Sequence, residues 1–350
     1  RLFEFITDLQ NDCINKNMNG LVGFLNNKFF CNYQKETIKD LDLLPFPAYH
    51  LLPDFNVYRT RARKTPVAAI FTSRGCPYQC VFCNTNIFGK KYRMRSAENV
   101  LSEINFLVHQ YGVRQIDILD DNFTLNRERT KHILEKLINR RYNLAINFQS
   151  GVRADLLDEE LVKLMKKAGV FKIGFGVESG DETVLEIIKK KINLDSIIQA
   201  TKWAKREGII VYGFFMLGLP GDTPKSMQRT INFAKKMDPD VANFGITIPF
   251  PGTELYNTIA KRGRFLVDTK AGIPFGFQKT TMYYELDGLN AESVIYYYKK
   301  AYRDFYFRPS KMLKMLNSIR SSAELKWMVE AVASVFRGWL GRTGPRKVGR

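Results

Sequence analysis

The stretch RGCPYQCVFC, residues 74–83, places three of the chain's five cysteines within eight residues. The run just before it, VAAIFT at 67–72, is apolar and partly β-branched, which predicts a buried strand. The cysteines therefore lie in a loop that follows a first strand. The fold depends on the sheet to which that strand belongs.

From residue 65 onward, short β-rich runs alternate with longer stretches that have the apolar spacing of amphipathic helices. Alternation of this kind predicts a parallel sheet with helices packed outside it. Six such units, where a complete barrel has eight, predict an α/β fold with a partial (β/α)6 TIM-like barrel and a site at the C-terminal ends of its strands. The predicted strands span 67–72, 115–119, 144–149, 171–177, 209–217 and 241–248, and the helical stretches span 96–111, 127–141, 158–168, 181–207 and 224–237.

The sequence outside this repeat predicts three further parts. Prolines punctuate the N-terminal region and resist helix formation, and one apolar segment within it, 19–32, is typical of a hairpin. Amphipathic helical patterns return at 291–307 and 311–340. The predicted domains are an N-terminal connector at 1–62, the core barrel at 63–255, a mostly helical C-terminal extension at 256–340 and a basic tail at 341–350.

The composition is that of a soluble globular protein, with 45% hydrophobic and 25% charged residues. The net charge of +19 would suit an anionic partner, although such a charge is more often a solvated surface. No apolar run approaches the roughly 20 residues of a membrane span, and the opening RLFEFITDLQNDC lacks the features of a signal peptide. The odd number of cysteines and the lack of a signal peptide predict reduced thiols and a cytoplasmic protein. Because the chain begins at Arg1, we also expect it to be a fragment.

The three clustered cysteines have the spacing C-x3-C-x2-C, and thiolates favour zinc or an iron–sulfur cluster. Structural zinc prefers four protein ligands. A 4Fe–4S cluster also takes four, so three cysteines would leave one iron open to a small molecule. A zinc loop and a coincidental group of buried cysteines are the alternatives.

The motif CPYQCVFC, placed after the first strand of this repeat, resembles the cluster loop of the radical S-adenosylmethionine (radical SAM) superfamily. That family's pattern is C-x3-C-x-aromatic-C, and the likeness runs in order through residues 65–250. It implies that Cys76, Cys80 and Cys83 hold a 4Fe–4S cluster and that SAM binds the open iron. It further implies that an electron from a reductant such as flavodoxin or ferredoxin splits SAM. The resulting 5′-deoxyadenosyl radical would abstract hydrogen from a small-molecule substrate.

The resemblance also implies SAM contacts for Phe82, the aromatic of the motif, and for three strand-end residues. Asp121 would accept from the SAM amino group, and the alternative is that it is a turn residue before the next helix. Glu178 would bind the ribose hydroxyls. The alternative is that this segment serves only to cap the next helix, but its neighbouring residues would do that, and the Glu178 carboxylate would have no role. Gly218 begins a G-x-P-G turn that would pass the adenosine, but Pro-Gly also makes ordinary turns.

Arg153 has two interpretations of equal weight. Its guanidinium fork would suit the SAM carboxylate, and it would equally suit a salt bridge to Asp155 or Asp158. No residue stands out as a catalytic acid, base or hydrogen-abstraction partner.

Two segments resemble the cobalamin-type branch of the family, IKDLDLLPFPAYHLL at 38–52 and AYRDFYFRPSKML at 301–313. The usual Asp-x-His-x-x-Gly corrin motif is absent, and a domain carrying it would precede Arg1. Cobalamin is therefore implied for the parent protein, with methyl transfer to an unactivated carbon or radical ring formation as the reaction.

Two other functions remain as alternatives. A tRNA-modifying radical SAM enzyme would suit the basic charge, but methylthiotransferases carry a second set of three cysteines where this chain has only Cys13 and Cys31. Nucleic acid is therefore not the favoured substrate. A non-catalytic iron–sulfur electron carrier would normally fill all four ligand positions with cysteine.

Overall fold

The structure is a computed structural model that describes residues 2–11, 20–25, 28–31, 37–58, 62–85, 87–267 and 281–317. It divides into two compact units, Arg1–Lys39 and Asp40–Arg350. The predicted helical stretch beyond residue 317, the basic tail at 341–350 and Cys13 lie outside the described residues. Among the described residues, no helix has both the length and the apolar character needed to cross a bilayer.

The first unit contains a helix and a hairpin. The helix is α1, Leu2–Gln10, and the hairpin pairs β1, Val22–Leu25, with β2, Lys28–Cys31. The two strands run antiparallel, and the rings of Phe24 and Phe29 lie 5.4 Å apart between their centroids. The hairpin predicted at 19–32 is therefore confirmed.

The second unit is built on one parallel sheet of six strands, as the sequence predicts. Neighbours in the sheet are also neighbours along the chain, so every crossover runs in the same direction across the sheet. Right-handed crossovers of one direction place all the helices on the same face, which is the arrangement of a barrel wall and not of a doubly wound sheet. The strands, in sheet order from one edge, are β3 (Val67–Ile70), β6 (Gln115–Ile118), β7 (Ala145–Val152), β8 (Val170–Glu178), β9 (Ile210–Leu217) and β10 (Val241–Ile246).

Helices follow the strands, and most begin at a residue whose side chain caps the first turn. Thr223, for example, accepts from the backbone of Ser226, with Pro224 at the first helical position, as the sequence predicts. The helices are α2 (Ala97–Tyr111), α3 (Arg127–Arg140), α4 (Glu159–Lys167), α5 (Glu182–Ile187), α6 (Leu194–Arg206), α7 (Pro224–Met237), α8 (Glu254–Arg262), α9 (Ala291–Tyr306) and α10 (Pro309–Asn317). Two short ribbons complete the unit: β4 (Ser73–Arg74) with β5 (Arg93–Met94), and β11 (Arg264–Phe265) with β12 (Tyr284–Glu285).

One element differs from its prediction. The stretch 181–207 has a continuous amphipathic pattern, yet it forms α5 and α6 with a break between them. Lys189 and Lys191 adopt left-handed backbone conformations in the break, and Asn193 then caps α6. The break has contacts with the cysteine loop that are described below.

The two faces of the sheet differ in burial. One face packs against the helices and is almost fully buried, for instance at Ile118, Phe148 and Ile173. Side chains alternate between the two faces along a strand. On each strand, the residues next to these buried ones therefore point to the other face. We call that other face the lumen face and define it by Asp117, Asn147, Lys172, Gly174, Tyr212 and Phe214.

Residues 40–58 pack with the second unit, so the predicted connector at 1–62 is divided between the two units. Tyr49 and Phe55 lie in the main core, and the Tyr49 hydroxyl donates a 2.6 Å hydrogen bond to Glu103 of α2. Glu103 also pairs with Arg95. This buried contact joins the segment to the first helix of the barrel.

Two tyrosines of α9 cover the open edge of the sheet at β10. The Tyr306 hydroxyl accepts from the backbone N–H of Ala242 at 3.1 Å and donates to its carbonyl at 2.8 Å. One turn earlier, the Tyr302 hydroxyl makes the same pair of contacts with Phe244, at 3.3 and 3.0 Å. The hydroxyls thus satisfy backbone groups that an edge strand would otherwise present for pairing.

We expect Tyr306→Phe to lower the free energy of unfolding by about 1–3 kcal/mol, because it leaves a backbone donor and acceptor of β10 without partners. Denaturant unfolding measures the change. Tyr296→Phe, at an exposed position of the same helix, is the matched control and should stay within about 0.5 kcal/mol of the parent. Equal stability of the two variants would contradict the edge-capping role.

Candidate functional site

The cysteine loop, residues 75–92, is closed by the ribbon of β4 and β5. Its first residue, Gly75, has φ +84°, and a Cβ there would lie 2.4 Å from the carbonyl oxygen of Lys91. Only glycine fits so close an approach. The loop folds back on itself further along, since the Cys76 amide donates to the carbonyl of Gly89 at 3.3 Å.

The three cysteines of this loop form a group of thiols at the C-terminal edge of the sheet. Cys76 and Cys80 are half-buried, and Cys83 is exposed. Burial raises the pKa of Cys76, and the nearby Asp121 and Cys80 add to it. Although Cys83 is exposed as a residue, the protein around its thiol desolvates the sulfur and raises its pKa, and Cys80 and Cys76 raise it further, so the three thiols lie within electrostatic range of one another.

In the described part of the chain, no three Cys, His, Asp or Glu side chains are grouped so that they could hold one metal ion. A single ion requires its ligands to converge on one point. A cubane instead binds each thiolate through a different iron, and its ligands stand further apart.

Two acids after β6 hold the start of the cysteine loop. Asp120 is fully buried and accepts from the Thr72 amide at 2.6 Å and from the Ser73 hydroxyl at 2.6 Å. Asp121, the predicted contact of the SAM amino group, accepts from the Gly75 amide at 3.1 Å through one carboxylate oxygen. Asp120 therefore positions the loop, and Asp121 stands where the loop meets the strand ends.

Arg153 follows β7 and forms the salt bridge that was one of its two predicted roles. Its fork binds Asp155 with N–O distances of 3.0 and 2.8 Å. Its guanidinium carbon lies 3.7 Å from the ring centroid of Tyr78, which belongs to the cysteine loop. The same guanidinium donates to the backbone carbonyls of Lys190 and Lys191. A contact of Arg153 with the SAM carboxylate stays a prediction.

Glu178 closes β8 with a left-handed backbone, φ +66°. Its carboxylate accepts from the ammonium of Lys190 at 2.9 Å, and both side chains are only 12% exposed. Burial favours the neutral amine, but the charge of Glu178 and then that of Cys80 outweigh it, so the pKa of Lys190 is raised. A Cβ on Gly176 would lie 2.6 Å from the Glu178 oxygen, so the glycine makes room for this ion pair.

The segment Ile188–Lys191, here called the 188–191 turn, joins the ion pair to the cysteine loop. The Val81 amide donates to the Ile188 carbonyl at 3.1 Å, and the Cys80 sulfur lies 3.9 Å from the Lys189 carbonyl. Lys190 could not be identified as a site residue from the sequence, because the apolar spacing of 181–207 predicts one continuous helical stretch there. The only local signal was the run Lys189-Lys190-Lys191 before the cap Asn193.

The two remaining predicted contacts also lie at the edge of the sheet. Phe82 is half-buried and packs against both hydrophobic clusters of the unit. Gly218 follows β9 with φ +77°, where a side chain would meet Val294 at 3.0 Å, and its carbonyl accepts from the Tyr284 hydroxyl. The turn it begins is held by Asp222, which accepts from the Leu219 amide at 2.9 Å.

Burial raises the pKa of Asp222 to about 6, although Ser226 and two backbone amides donate to it. The folded protein then holds a proton that the unfolded chain releases near its ordinary value of 3.8. We therefore expect the free energy of unfolding to fall as pH rises from about 4 to about 6, by roughly 3 kcal/mol.

Denaturant unfolding across this pH range measures the effect. Asp222→Asn should remove most of the slope, whereas Asp195→Asn, at an exposed position in the first turn of α6, should retain it. A slope that Asp222→Asn leaves unchanged would show that another group carries the pH dependence.

Comparison with known proteins identifies the domain. Residues 70–234 match the sequence model of the radical SAM superfamily. This domain belongs to the radical SAM superfamily. The enzyme class and the partial barrel predicted from the sequence are therefore confirmed, and membership of the superfamily implies a 4Fe–4S cluster and SAM.

Curated relatives of this chain include several methyltransferases. An uncharacterised methyltransferase of Pyrococcus horikoshii is 34% identical over 281 residues, which cover 79% of this chain and 59% of the relative. The cytidylyl-2-hydroxyethylphosphonate methyltransferase of Streptomyces wedmorensis is 32% identical over 238 residues, which cover 64% of this chain and 44% of the relative. The chain thus spans about half the length of these relatives.

Two solved structures share the fold. The cobalamin-dependent S-adenosylmethionine radical enzyme OxsB, with aqua-cobalamin and S-adenosylmethionine bound, superposes with a TM-score of 0.67 at 17% identity, over 96% of this chain and 54% of that one. The methyltransferase TsrM of Kitasatospora setae, with cobalamin and a [4Fe-4S] cluster bound, gives 0.60 at 18% identity, over 96% and 66%. At these identities the likeness shows the fold alone.

Proposed function

We propose that this chain is the catalytic core of a radical SAM enzyme that holds a 4Fe–4S cluster through Cys76, Cys80 and Cys83. The observation that supports it is the placement of three thiols in the loop after the first strand, beside a buried ion pair at the end of β8. The donor set fits the cluster because soft thiolates are its usual ligands.

The residues around the thiols fit SAM as well. Glu178 offers a carboxylate to the two ribose hydroxyls. Lys190 brings an ammonium to within 2.9 Å of Glu178 and is, together with Arg153, a candidate cation for the SAM carboxylate. Asp121 accepts from the cysteine loop through one carboxylate oxygen and offers the other oxygen to the SAM amino group. We assign these four side chains to SAM binding, with Phe82 and Gly218 as packing and backbone contacts.

Cys76, Cys80 and Cys83 would hold the cluster, which, once reduced by an external donor, would supply one electron for the cleavage of SAM into methionine and a 5′-deoxyadenosyl radical. The chain's own contribution is orientation and exclusion of water. The Asp120 contacts and the 188–191 turn hold the cysteine loop against the strand ends, and the glycines at 75 and 176 permit the close packing that this requires.

For the whole protein, we propose cobalamin-linked methyl transfer or radical ring formation on a small molecule, with flavodoxin or ferredoxin as the reductant. The named relatives support both reactions: the methyltransferases above, and the anaerobic magnesium-protoporphyrin IX monomethyl ester cyclase of Rubrivivax gelatinosus, 28% identical over 64% of this chain. The cobalamin bound in OxsB supports the cofactor. A cytoplasmic location stays a prediction.

The test is SAM cleavage by the anaerobically reconstituted chain with dithionite as the reductant. We expect 5′-deoxyadenosine and methionine in equal amounts. A variant with all three clustered cysteines replaced by alanine should form neither product. Reconstituted protein that carries the full iron load but leaves SAM intact would overturn the proposal in favour of an electron carrier.

A further inference from the structure

The ribbon of β4 and β5 closes the cysteine loop, and Thr72 and Arg95 lie directly outside this ribbon on its two strands. The Arg95 amide donates to the Thr72 carbonyl at 3.0 Å. Asp120 binds the same residue, because it accepts from the Thr72 amide at 2.6 Å. We call the backbone contact between Thr72 and Arg95 the neck of the loop.

Arg129 of α3 binds both sides of the neck with one side chain. Its Nη2 donates to the Thr72 carbonyl at 2.8 Å, and its Nε donates to the Arg95 carbonyl at 2.6 Å. A guanidinium is planar and rigid, so these two donors have a fixed separation and direction. Arg129 therefore sets the distance between the two carbonyls, and with it the spacing of the two ends of the cysteine loop.

Arg129 is itself held in place by the helix and by the core. It lies in the first turn of α3, where its amide donates to the cap Asn126 at 2.9 Å, and it is only 8% exposed. Its guanidinium carbon lies 5.8 Å from the ring centroid of Phe123. That ring is fully buried and packs on Phe148 of β7, with 4.8 Å between the ring centroids. The spacing at the neck is thus fixed from a rigid base.

Stability alone explains this arginine poorly. Burial disfavours its charged form and lowers its pKa, and Tyr92 and Asp120 only partly offset that effect. Its third nitrogen, Nη1, is buried without a hydrogen-bond partner among the described residues. A desolvated charge with an unmet donor is weak evidence for stability, because an apolar side chain of similar size often serves as well. An apolar side chain could not, however, join the two ends of the loop.

We propose that Arg129 is a positioning residue for the cluster: its guanidinium holds the neck closed and so keeps the three thiolates of the loop in the arrangement that a 4Fe–4S cluster requires. Asp120 completes the grip, because it binds the Thr72 amide while Arg129 binds the Thr72 carbonyl. Both hydrogen bonds involve a charged group and are stronger than neutral ones. The inference rests on the proposed function, which makes this loop the ligand loop of the cluster.

The first test is the rate at which the reconstituted protein loses iron. Arg129→Lys keeps the positive charge but removes the planar fork that binds the two carbonyls. With its three cysteines intact, the variant should still take up iron under anaerobic conditions. We expect it to lose that iron to the ferrous chelator bathophenanthroline disulfonate about tenfold faster than the parent, well below the melting temperature of both proteins. A rate of iron loss equal to the parent's would overturn the inference.

Arg308→Lys is the matched control. The Arg308 guanidinium also donates to two backbone carbonyls, that of Phe305 at 3.0 Å and that of Lys235 at 3.2 Å. Lys235 lies in the last turn of α7, which leads into the N-terminal end of β10, whereas the cysteine loop lies at the C-terminal edge of the sheet. Arg308→Lys should retain iron as the parent does. Equally fast iron loss from both variants would mean that general destabilisation is the cause, and would also overturn the inference.

Hydrogen exchange on the unmodified chain decides the question if Arg129→Lys does not fold. Before reconstitution there is no cluster to hold the loop, so protection at the neck must come from the protein itself. We expect the amides of Thr72 and Arg95 to exchange as slowly as those of the neighbouring strand β6. Exchange at both amides as fast as in an unfolded peptide would overturn the inference, because the cluster and not Arg129 would then close the neck.

The two proposals fail in different ways. If the iron-loaded parent leaves SAM intact but Arg129→Lys loses its iron faster, the proposed function is wrong and the positioning role stands. If the parent cleaves SAM and Arg129→Lys retains iron as the parent does, only the present inference is wrong.

Discussion

Cys80→Ala is expected to abolish cluster loading and SAM cleavage together. A cubane held by two thiolates has lost one of only three cysteine ligands, and the one other described cysteine, Cys31, belongs to the hairpin of the first unit. After anaerobic reconstitution, the iron content should fall from about four per chain toward zero. The same outcome is expected for Cys76→Ala and for Cys83→Ala, because each thiolate would bind a different iron.

Cys31→Ala is the matched control, since Cys31 is exposed and belongs to the hairpin of the first unit. It should retain the parent's iron content and its rate of 5′-deoxyadenosine formation. Circular dichroism should show that every variant is folded, because alanine at a half-buried loop position removes little packing. If Cys80→Ala forms 5′-deoxyadenosine at the parent's rate, the ligand assignment is wrong.

Lys190→Met should weaken SAM binding and also destabilise the fold. The Glu178 side chain is only 12% exposed, and the substitution removes its counter-charge. Loss of one partner from a buried ion pair lowers the free energy of unfolding by about 3–5 kcal/mol. We expect at least a tenfold rise in the dissociation constant for SAM, measured by equilibrium dialysis. Lys189→Met is the control, since Lys189 pairs with Glu254 on the surface and should cost about 1 kcal/mol or less.

The double variant Glu178→Gln/Lys190→Met separates the structural effect from the binding effect. Removal of both charges should recover most of the stability that the single variant loses. SAM affinity should remain low, because neither the ribose contact nor the cation for the carboxylate is restored. Recovery of both stability and affinity would show that the pair serves the fold alone.

Much of the barrel could be predicted because its strands are short, apolar and separated by amphipathic stretches. β10 and α7, for example, begin where the sequence predicts. The break between α5 and α6 could not be predicted in this way. The apolar period continues through it, and the turn depends on a contact between Ile188 and Val81, which are distant in sequence.

The candidate site, too, could be predicted from the sequence only in part. The sequence places Cys76, Asp121 and Glu178 after three different strands, and a parallel sheet brings such strand ends to one edge. It could not choose between the two roles of Arg153, because a guanidinium selects its partner by tertiary proximity. The edge-capping role of Tyr306 could not be predicted either, because its partner is the backbone of Ala242, on a strand that is distant in sequence.

The most direct test of the central claim is the electron paramagnetic resonance spectrum of the reduced, reconstituted protein with and without SAM. Three thiolates leave one iron open, so SAM should bind that iron and change the g-values and line shape of the reduced cluster. The Lys190→Met variant should need a higher SAM concentration for the same change. A cluster spectrum that saturating SAM leaves unaltered would contradict the account.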